Sequence, residues 1–300
     1  MTQADLPALT DLCNRSLPLD PFTADLLDRR LFADPNLDPA LNLVAEVDHQ
    51  IVGAIVGKIQ TAASPPADTR PAGFLKLWAV DSDHQNQSIG THLLTEWEAA
   101  VRQKNAQRII TLAAPDYLWP GVDFRYTKAA CILEARNYTA DQWIINMAVD
   151  LNHEANTNLE HRQADLATAG LTIARLSAET LDATVAFIRS KFSENWVYEL
   201  TQSLRNQPVS AYIAMRDERV VGFAAYDVVM FPGCFGPMGT DPAERGQGIG
   251  QFLLKKCLQD MRAKGYARCE IVWIRPMAFY SKTVNAVVCR QFRNYAKDLS

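Results

Sequence analysis

The sequence has no paired-cysteine spacing, no excess of basic charge and no long apolar run, and each absence removes a class of protein. Its six cysteines (Cys13, Cys131, Cys234, Cys257, Cys269, Cys289) form no C-x-x-C and its histidines no ligand pair. Neither a disulfide framework nor a metal site is therefore expected, and the thiols read as buried and free. Lys and Arg number 30 against 34 Asp and Glu, a net charge of -4 that argues against a surface built to grip nucleic acid. No segment reaches the roughly 18 uninterrupted apolar residues of a membrane span, and Met1 to Cys13 carry neither a basic leader nor an apolar h-region. The expectation is a cytoplasmic protein that engages neither nucleic acid nor membrane.

What is present is the profile of a globular chain, 48% apolar and 21% charged over 300 residues, a comfortable length for two domains. A repeat supports that division. Asp81 to Leu94 (DSDHQNQSIGTHLL) matches Asp241 to Leu254 (DPAERGQGIGQFLL) at an offset of 160, with six identical positions. Upstream, Ala45 to Ala54 matches Ala214 to Phe223 at an offset of 169, both reading as strand, polar turn, strand. The nine extra residues in the first copy fit the Pro-rich stretch Ala62 to Pro71. Two modules are expected, 1–151 and 170–300, joined by a polar linker over 152–169 that reads equally as a surface helix.

Within the second copy, helical spacing runs over Ala178 to Ser190 and Ser193 to Leu204, and strands over Ala211 to Met215 and Val220 to Val229. Gly250 to Lys264 is amphipathic and closed by Gly265, and Cys269 to Ile274 reads as a mostly buried strand. The fold class is α/β (α+β mixed), a sheet flanked by helices in each module.

The chemistry-bearing segment is Asp241 to Gly250, a turn between a strand-like run and an amphipathic helix. Gly246, Gly248 and Gly250 lack Cβ, so successive backbone N–H groups can converge on one anion while the helix N-terminus adds partial positive charge. A pyrophosphate suits such a nest. No Lys-Ser/Thr follows the last glycine and the G-x-G-x-x-G spacing fails, which excludes the phosphate loop of nucleotide hydrolases and the dinucleotide fingerprint.

Arg245-Gly246-Gln247-Gly248-Ile249-Gly250 instead resembles the [Gln/Arg]-x-x-Gly-x-Gly/Ala cofactor signature of the GNAT superfamily of acyl-CoA N-acyltransferases. Phe235 to Pro242 is similar to that family's central strand and loop entry, and Phe279-Tyr280-Ser281-Lys282 to its Phe-Tyr-x-Lys helix. The resemblance implies tandem GNAT-like modules, with acetyl-CoA or another short acyl-CoA as co-substrate and no metal. It implies cofactor contacts from Met238, Gly239, Thr240, Arg245, Gly246, Gln247, Gly248, Ile249, Gly250 and Gln251, with Tyr280 as the acid that protonates the departing thiolate. Tyr280 also reads as an aromatic packing residue at a sheet edge. The family's Gly-Phe pair after this helix is replaced by Thr283 to Cys289, and no carboxylate sits on the strand before Pro237, so no general base is assigned. Asp241, Glu244 and Glu270 read as capping or surface acids.

The first copy carries Gln85-Asn86-Gln87-Ser88-Ile89-Gly90, in which Asn86 and Ser88 replace two glycines and narrow the cradle, although Ser88 adds a hydroxyl donor. Tyr126-Thr-Lys128 aligns in kind with Tyr280-Ser-Lys282, and Trp119, Asp123 and Arg125 read either as lining a substrate pocket between the copies or as a turn with a surface ion pair. The implied function is transfer of an acyl group from CoA to a primary amine of a small molecule or peptide, by a monomer of two modules or a homodimer. A non-catalytic acyl-CoA sensor and a tRNA-dependent aminoacyl transferase are the alternatives. Pocket residues are expected around Phe192 to Tyr198 and Pro115 to Arg125.

Overall fold

The computed structural model of the chain describes residues 1–34, 37–61, 70–111, 117–159, 166 and 168–299. Residues 62–69 of the expected insertion, 160–165 and 167 of the expected linker, and 115–116 of one expected pocket segment lie outside the described residues. The chain divides into two compact units, Met1–Ile144 with Gln291–Ser300, and Ile145–Arg290.

The first unit opens with α1 (Leu6–Ser16), a short α2 (Ala24–Leu27) and a π-helical turn at Asp28–Phe32. Strands β1 (Leu37–Val47), β2 (Gln50–Thr61) and β3 (Pro71–Val80) pair antiparallel in that order. Helix α3 (Ile89–Gln103) then crosses to β4 (Arg108–Thr111), which lies parallel to β3 as such a crossover requires. A two-residue β5 (Val122–Asp123) and α4 (Thr127–Ala135) follow, and β6 (Thr139–Asp150) carries the chain into the second unit. The i, i+4, i+8 spacing of Leu93, Trp97 and Val101 gives α3 one apolar face, buried in one core with Ile55, Leu75 and Ile109. Each such fully buried side chain contributes about 1.5–3 kcal/mol.

The second unit adds α5 (Glu154–Thr157), β7 (Leu171–Arg175), α6 (Ala178–Lys191), α7 (Glu194–Gln202), β8 (Ala211–Arg216), β9 (Arg219–Tyr226), β10 (Cys234–Thr240), α8 (Ile249–Ala263), β11 (Arg268–Ile271) and α9 (Met277–Val284), and β12 (Val287–Asp298) carries the chain back into the first. Its strands neighbour one another in the order β7, β8, β9, β10, β11, β6, and the β10–β11 pair is parallel. Ile249, Phe252, Leu253, Cys257 and Met261 turn α8 onto a core shared with Val221, Phe235 and Ile271. The sheet of the first unit ends on residues from the far end of the chain, since Ala296, Lys297 and Asp298 of β12 pair with Ile110, Ile109 and Arg108 of β4.

Two expected strands stop early for local reasons. The strand expected over Val220 to Val229 ends at Tyr226 because Asp227 takes φ 57° and its Oδ1 accepts from the Gly233 amide at 2.7 Å, closing the turn into β10. That expected over Cys269 to Ile274 ends at Ile271, where pairing with β10 stops and Trp273 takes φ 48° with its amide on Asn146 Oδ1 at 2.9 Å.

Candidate functional site

The second unit opens a parallel strand pair partway along its central strand. In the second unit β10 and β11 are paired at Cys234↔Glu270 and Phe235↔Ile271 and no further. In the first, the described pairs of β3 and β4 run from Ala72↔Arg108 to Leu75↔Thr111, and adding 160 to the last pair gives Phe235 and Ile271. The cause lies on the other side of the central strand. From Phe235↔Tyr226 to Met238↔Ala224, β10 advances three residues while β9 advances two, so β10 carries a bulge. Val56↔Leu77 followed by Gly57↔Leu75 places the matching bulge at Lys76.

Beyond the bulge the central strand is paired on one side only. The Asp241 amide donates to Val221 O at 2.8 Å, and alternation along the strand then turns the Met238 and Thr240 amides toward the open side. Asp81 N on Val52 O, also 2.8 Å, turns the Trp78 and Val80 amides away from β2 in the same way. Among the described residues the second unit therefore offers two unpaired backbone donors beside a gap.

The loops that follow have one conformation. Asp241 Oδ1 accepts from Ala243 N at 3.0 Å and Asp81 Oδ1 from Asp83 N at 3.1 Å, each starting a single 3-10 turn. Gly246 and Gly248 take φ 87° and 83°, and Asn86 and Ser88 take φ 61° and 63°, so all four are left-handed. Left-handed backbone is routine for glycine, tolerable for Asn and costly for Ser. Residues 248 and 88 then begin 15-residue helices whose first amides have no intrahelical acceptor.

The expected contact residues of the second unit converge on Gly250. A Cβ built there would sit 3.4 Å from Thr240 Oγ1, 3.6 Å from Phe279 Cζ and 3.9 Å from Met238 Cε. Gly239 is overlain by the ring of Phe192, which stacks on Trp196 at 5.0 Å, so the segment expected at Phe192 to Tyr198 does approach the central strand. Arg245 is exposed, and its side chain makes no hydrogen bond or ion pair among the described residues. Gln247, by contrast, is held from the side: it accepts from Arg216 at 2.7 Å and donates to Glu244 at 2.9 Å, leaving its backbone to face the nest. Ile249 is buried in the core, and Gln251 is half-buried in the first turn of α8.

Tyr280 lies on α9, 9% exposed, with no hydrogen-bond partner for its hydroxyl among the described residues. Burial pushes this phenol up to about 12, so it is a protonated donor across the neutral range. The three nearby acids are otherwise engaged. Asp241 caps its turn, Glu244 pairs with Arg216 and Arg219 at 3.1 and 3.3 Å, and Glu270 accepts from Asn146 at 2.6 Å.

In the first unit the loop borders a cavity of about 690 Å³ whose wall residues all belong to that unit. It runs from Asn86, Ser88 and Gly90 past Trp78 to Trp119, Asp123, Arg125 and Tyr126. Arg125 is paired bidentately with Asp123 at 2.9 and 2.7 Å, and Lys128 donates to Gln85 at 2.8 Å. Behind the wall stands Asp20, 5% exposed, whose Oδ2 accepts from Trp119 Nε1 at 2.9 Å and from the Tyr126 hydroxyl at 3.3 Å. Sequence reasoning missed Asp20: it lies 99 and 106 residues from its partners, in a Leu-Pro-Leu-Asp-Pro segment with no motif.

Among the described residues no helix is long and apolar enough to cross a membrane, and no group of three or more His, Cys, Asp or Glu is placed to hold a metal ion.

Comparison with known proteins agrees with this geometry. The profile of the Acetyltransferase (GNAT) family matches residues 7–117 and again residues 177–282. The chain belongs to that family, is an acyltransferase by class, and is built of two GNAT-like modules. No curated protein matches it. Among solved structures it is similar to the GCN5-related glucosamine N-acetyltransferase region of a fungal multi-domain GH3 beta-N-acetylglucosaminidase, at TM-score 0.78 and 18% identity, over 98% of this chain and 37% of that protein. A GCN5-related N-acetyltransferase from Sphaerobacter thermophilus gives TM-score 0.69 at 17% identity, over 99% of this chain and 94% of that one. A tandem GNAT protein of the clavulanic acid biosynthesis pathway gives 0.68 at 13%, over 98% and 95%.

Proposed function

We propose that the protein transfers an acetyl or other short acyl group from acyl-CoA to a primary amine of a small molecule or peptide, with the CoA pyrophosphate held by Arg245 to Gly250. The observation that carries this reading is the left-handed pair Gly246 and Gly248 at the N-terminus of α8, beside an exposed Arg245 with no ion pair among the described residues. An anion there meets converging N–H groups, the helix end and a guanidinium together. The Met238 and Thr240 amides face the gap where the thioester carbonyl lies and stabilise charge on its oxygen, Phe192 and Trp196 shape the amine's approach, and Tyr280 protonates the thiolate. Gly239 and Gly250 leave room for the pantetheine arm, and Gln247, Ile249 and Gln251 supply backbone to the nest.

A second reading is favoured by one observation: Asn86 and Ser88 hold the same left-handed backbone as the glycines they replace, and their loop opens on the 690 Å³ cavity. On this reading the first unit is an acyl-CoA site too. An amino sugar is a reasonable first amine to try, given the glucosamine N-acetyltransferase region among the similar structures. The setting we infer is cytoplasmic, without nucleic-acid or membrane partners and without a metal, as a monomer or a homodimer, with sequence modules at 1–151 and 170–300.

Calorimetric titration with acetyl-CoA tests both readings. Wild type is expected to bind two equivalents and Gly248→Trp one. Unchanged stoichiometry in Gly248→Trp would remove the second-unit assignment, and complete loss would remove the first-unit one.

A further inference from the structure

Among the described residues the second unit has an edge strand with no counterpart in the first. β7 lies along the outer edge of β8, with Ala174 opposite Ile213 and Ile173 opposite Ala214. It ends where the Leu176 amide donates to Ala211 O at 2.9 Å, one residue before the capping box of Ser177. The offset of 169 carries Ala211 to Asn42, and there the Met1 nitrogen donates to Asn42 O at 3.0 Å, one residue before the capping box of Thr2. β1 and β8 also share a bulge, at Ala45/Glu46 and at Ala214/Met215. The two edges are built alike, yet among the described residues β1 pairs with β2 alone. Since Asn42 O faces outward, alternation turns the Val44 N–H and C=O outward too, where neither has a backbone partner among the described residues. Such an edge is a template for a further strand.

Beneath the edge lies a groove. In the second unit Leu171 and Ile173 of β7 pack into the core that α8 covers. In the first, the matching space between Leu43 and Ala45 of β1 and Ile89, Glu96 and Ala100 of α3 is a groove of about 730 Å³. Its ionisable wall residues are His92 and Glu96, and Glu96 is exposed with no ion pair among the described residues. The offset of 160 carries Glu96 to Lys256, which lies 5.7 Å from the centre of the Tyr212 ring, while Arg175 of β7 lies 4.6 Å from the same centre. A basic side chain placed on β1 as Arg175 is placed on β8 therefore meets a carboxylate where Arg175 has a lysine nearby.

We propose that the β1 edge is a docking site for an extended segment of another polypeptide, added antiparallel to β1, with two apolar side chains and then a basic one at three alternate positions. The inference does not depend on acyl transfer. The backbone of the segment pairs with Val44, its apolar pair enters the groove as Leu171 and Ile173 do in the second unit, and its basic residue meets Glu96. A second copy of the chain offering its own β1 fits less well, since that strand carries Asp38 and Glu46 and no basic residue, and brings like charge to Glu96.

The test is titration of the full chain with a fluorescent peptide of the sequence Thr168 to Arg175, TAGLTIAR. Wild type is expected to bind it, and to bind the Ile173→Asp form of the peptide about 10-fold or more weakly. Val44→Pro removes an amide donor that faces away from β2 and is expected to weaken binding about 5-fold or more. Glu96→Lys is expected to weaken it about 3-fold or more and to favour the Arg175→Glu form of the peptide by a similar factor. In hydrogen exchange the bound peptide should slow the Val44 amide about 10-fold or more and leave the Leu43 and Ala45 amides, which face β2, unchanged. Should Val44→Pro not fold, Glu96→Lys and the exchange pattern decide. No binding at about 1 mM peptide, or binding that the variants leave unchanged, overturns the proposal. Self-association of the chain that Val44→Pro abolishes also overturns it, by assigning the edge to a second copy.

Discussion

Gly239 lies directly under the ring of Phe192, so close that a Cβ built on the glycine would come within 2.5 Å of Cζ. This contact ties the end of α6 to the central strand of the second unit at the place where the amine is expected to arrive. Gly239→Ala must displace a ring that is also packed on Trp196, Phe187 and Phe223. The expected cost is about 1–3 kcal/mol. Urea unfolding should show it, and Gly239→Ala combined with Phe192→Leu should recover most of it. A full cost in the double variant would mean that the ring is not the obstacle.

The two loops differ in what holds their left-handed turns. Ser88 takes φ 63° against the preference of any residue with a Cβ, whereas Gly248 at φ 83° does so freely. Ser88→Gly is expected to stabilise the protein by up to about 1 kcal/mol and Gly248→Ser to destabilise it by a similar amount. Equal and negligible effects in chemical denaturation would show that the two turns carry no strain difference.

Asp34 sits between two lysines, 2.7 Å from Lys58 and 2.8 Å from Lys76, with all three side chains 3% exposed. Burial alone would push its carboxyl up, but Lys76 and Lys58 together outweigh that and hold it below the usual carboxylate range. A carboxyl depressed in the folded state stabilises it above its unfolded value near 4, and that contribution is lost as pH falls through the folded value. Asp34→Asn removes the carboxylate that bridges two buried ammonium groups and should cost about 3–5 kcal/mol at pH 7. Its stability should also lose part of the acid dependence shown by wild type, as thermal melts from pH 7 to 2 would reveal.

Tyr280→Phe keeps the packing of α9 and removes one hydroxyl. If the phenol protonates the thiolate, kcat in the second unit falls by about 100-fold or more while the KM for acetyl-CoA holds. Because burial raises this phenol to about 12, its effect on stability is constant below its ordinary value near 10 and is lost as pH rises toward 12. The difference between melts of wild type and variant should therefore hold steady up to about pH 10 and shift against wild type only at more alkaline pH. A variant with undiminished kcat leaves Tyr280 as a packing residue.

The cofactor loops were readable because their chemistry is local: glycines, a helix start and a strand entry fall within ten residues. Helix faces were equally readable from spacing, as with the amphipathic run from Gly250 to Lys264, whose Phe252, Leu253 and Cys257 are buried. Conformation at Asn86 and Ser88 was not, since residue type gives a preference for left-handed backbone and the surrounding turn decides it. Asp20 escaped because its role comes from two partners about a hundred residues away. The early ends of β9 and β11 depend on a side-chain cap at Asp227 and on the loss of a neighbouring strand, neither of which leaves a trace in hydrophobic periodicity.

The strand that finishes the first sheet has a consequence for how the chain is made. Thr111 Oγ1 accepts from the Tyr295 amide at 3.0 Å, and the Leu299 amide reaches Gln107 O at 2.8 Å, so β4 has its neighbour only after residue 299 exists. On a ribosome adding about 5–20 residues per second, the first unit would wait roughly ten to thirty seconds after its residue 144 emerges before its sheet could close. Through that interval the side of β4 that β12 covers is an open edge, and a later segment decides when an earlier one becomes native.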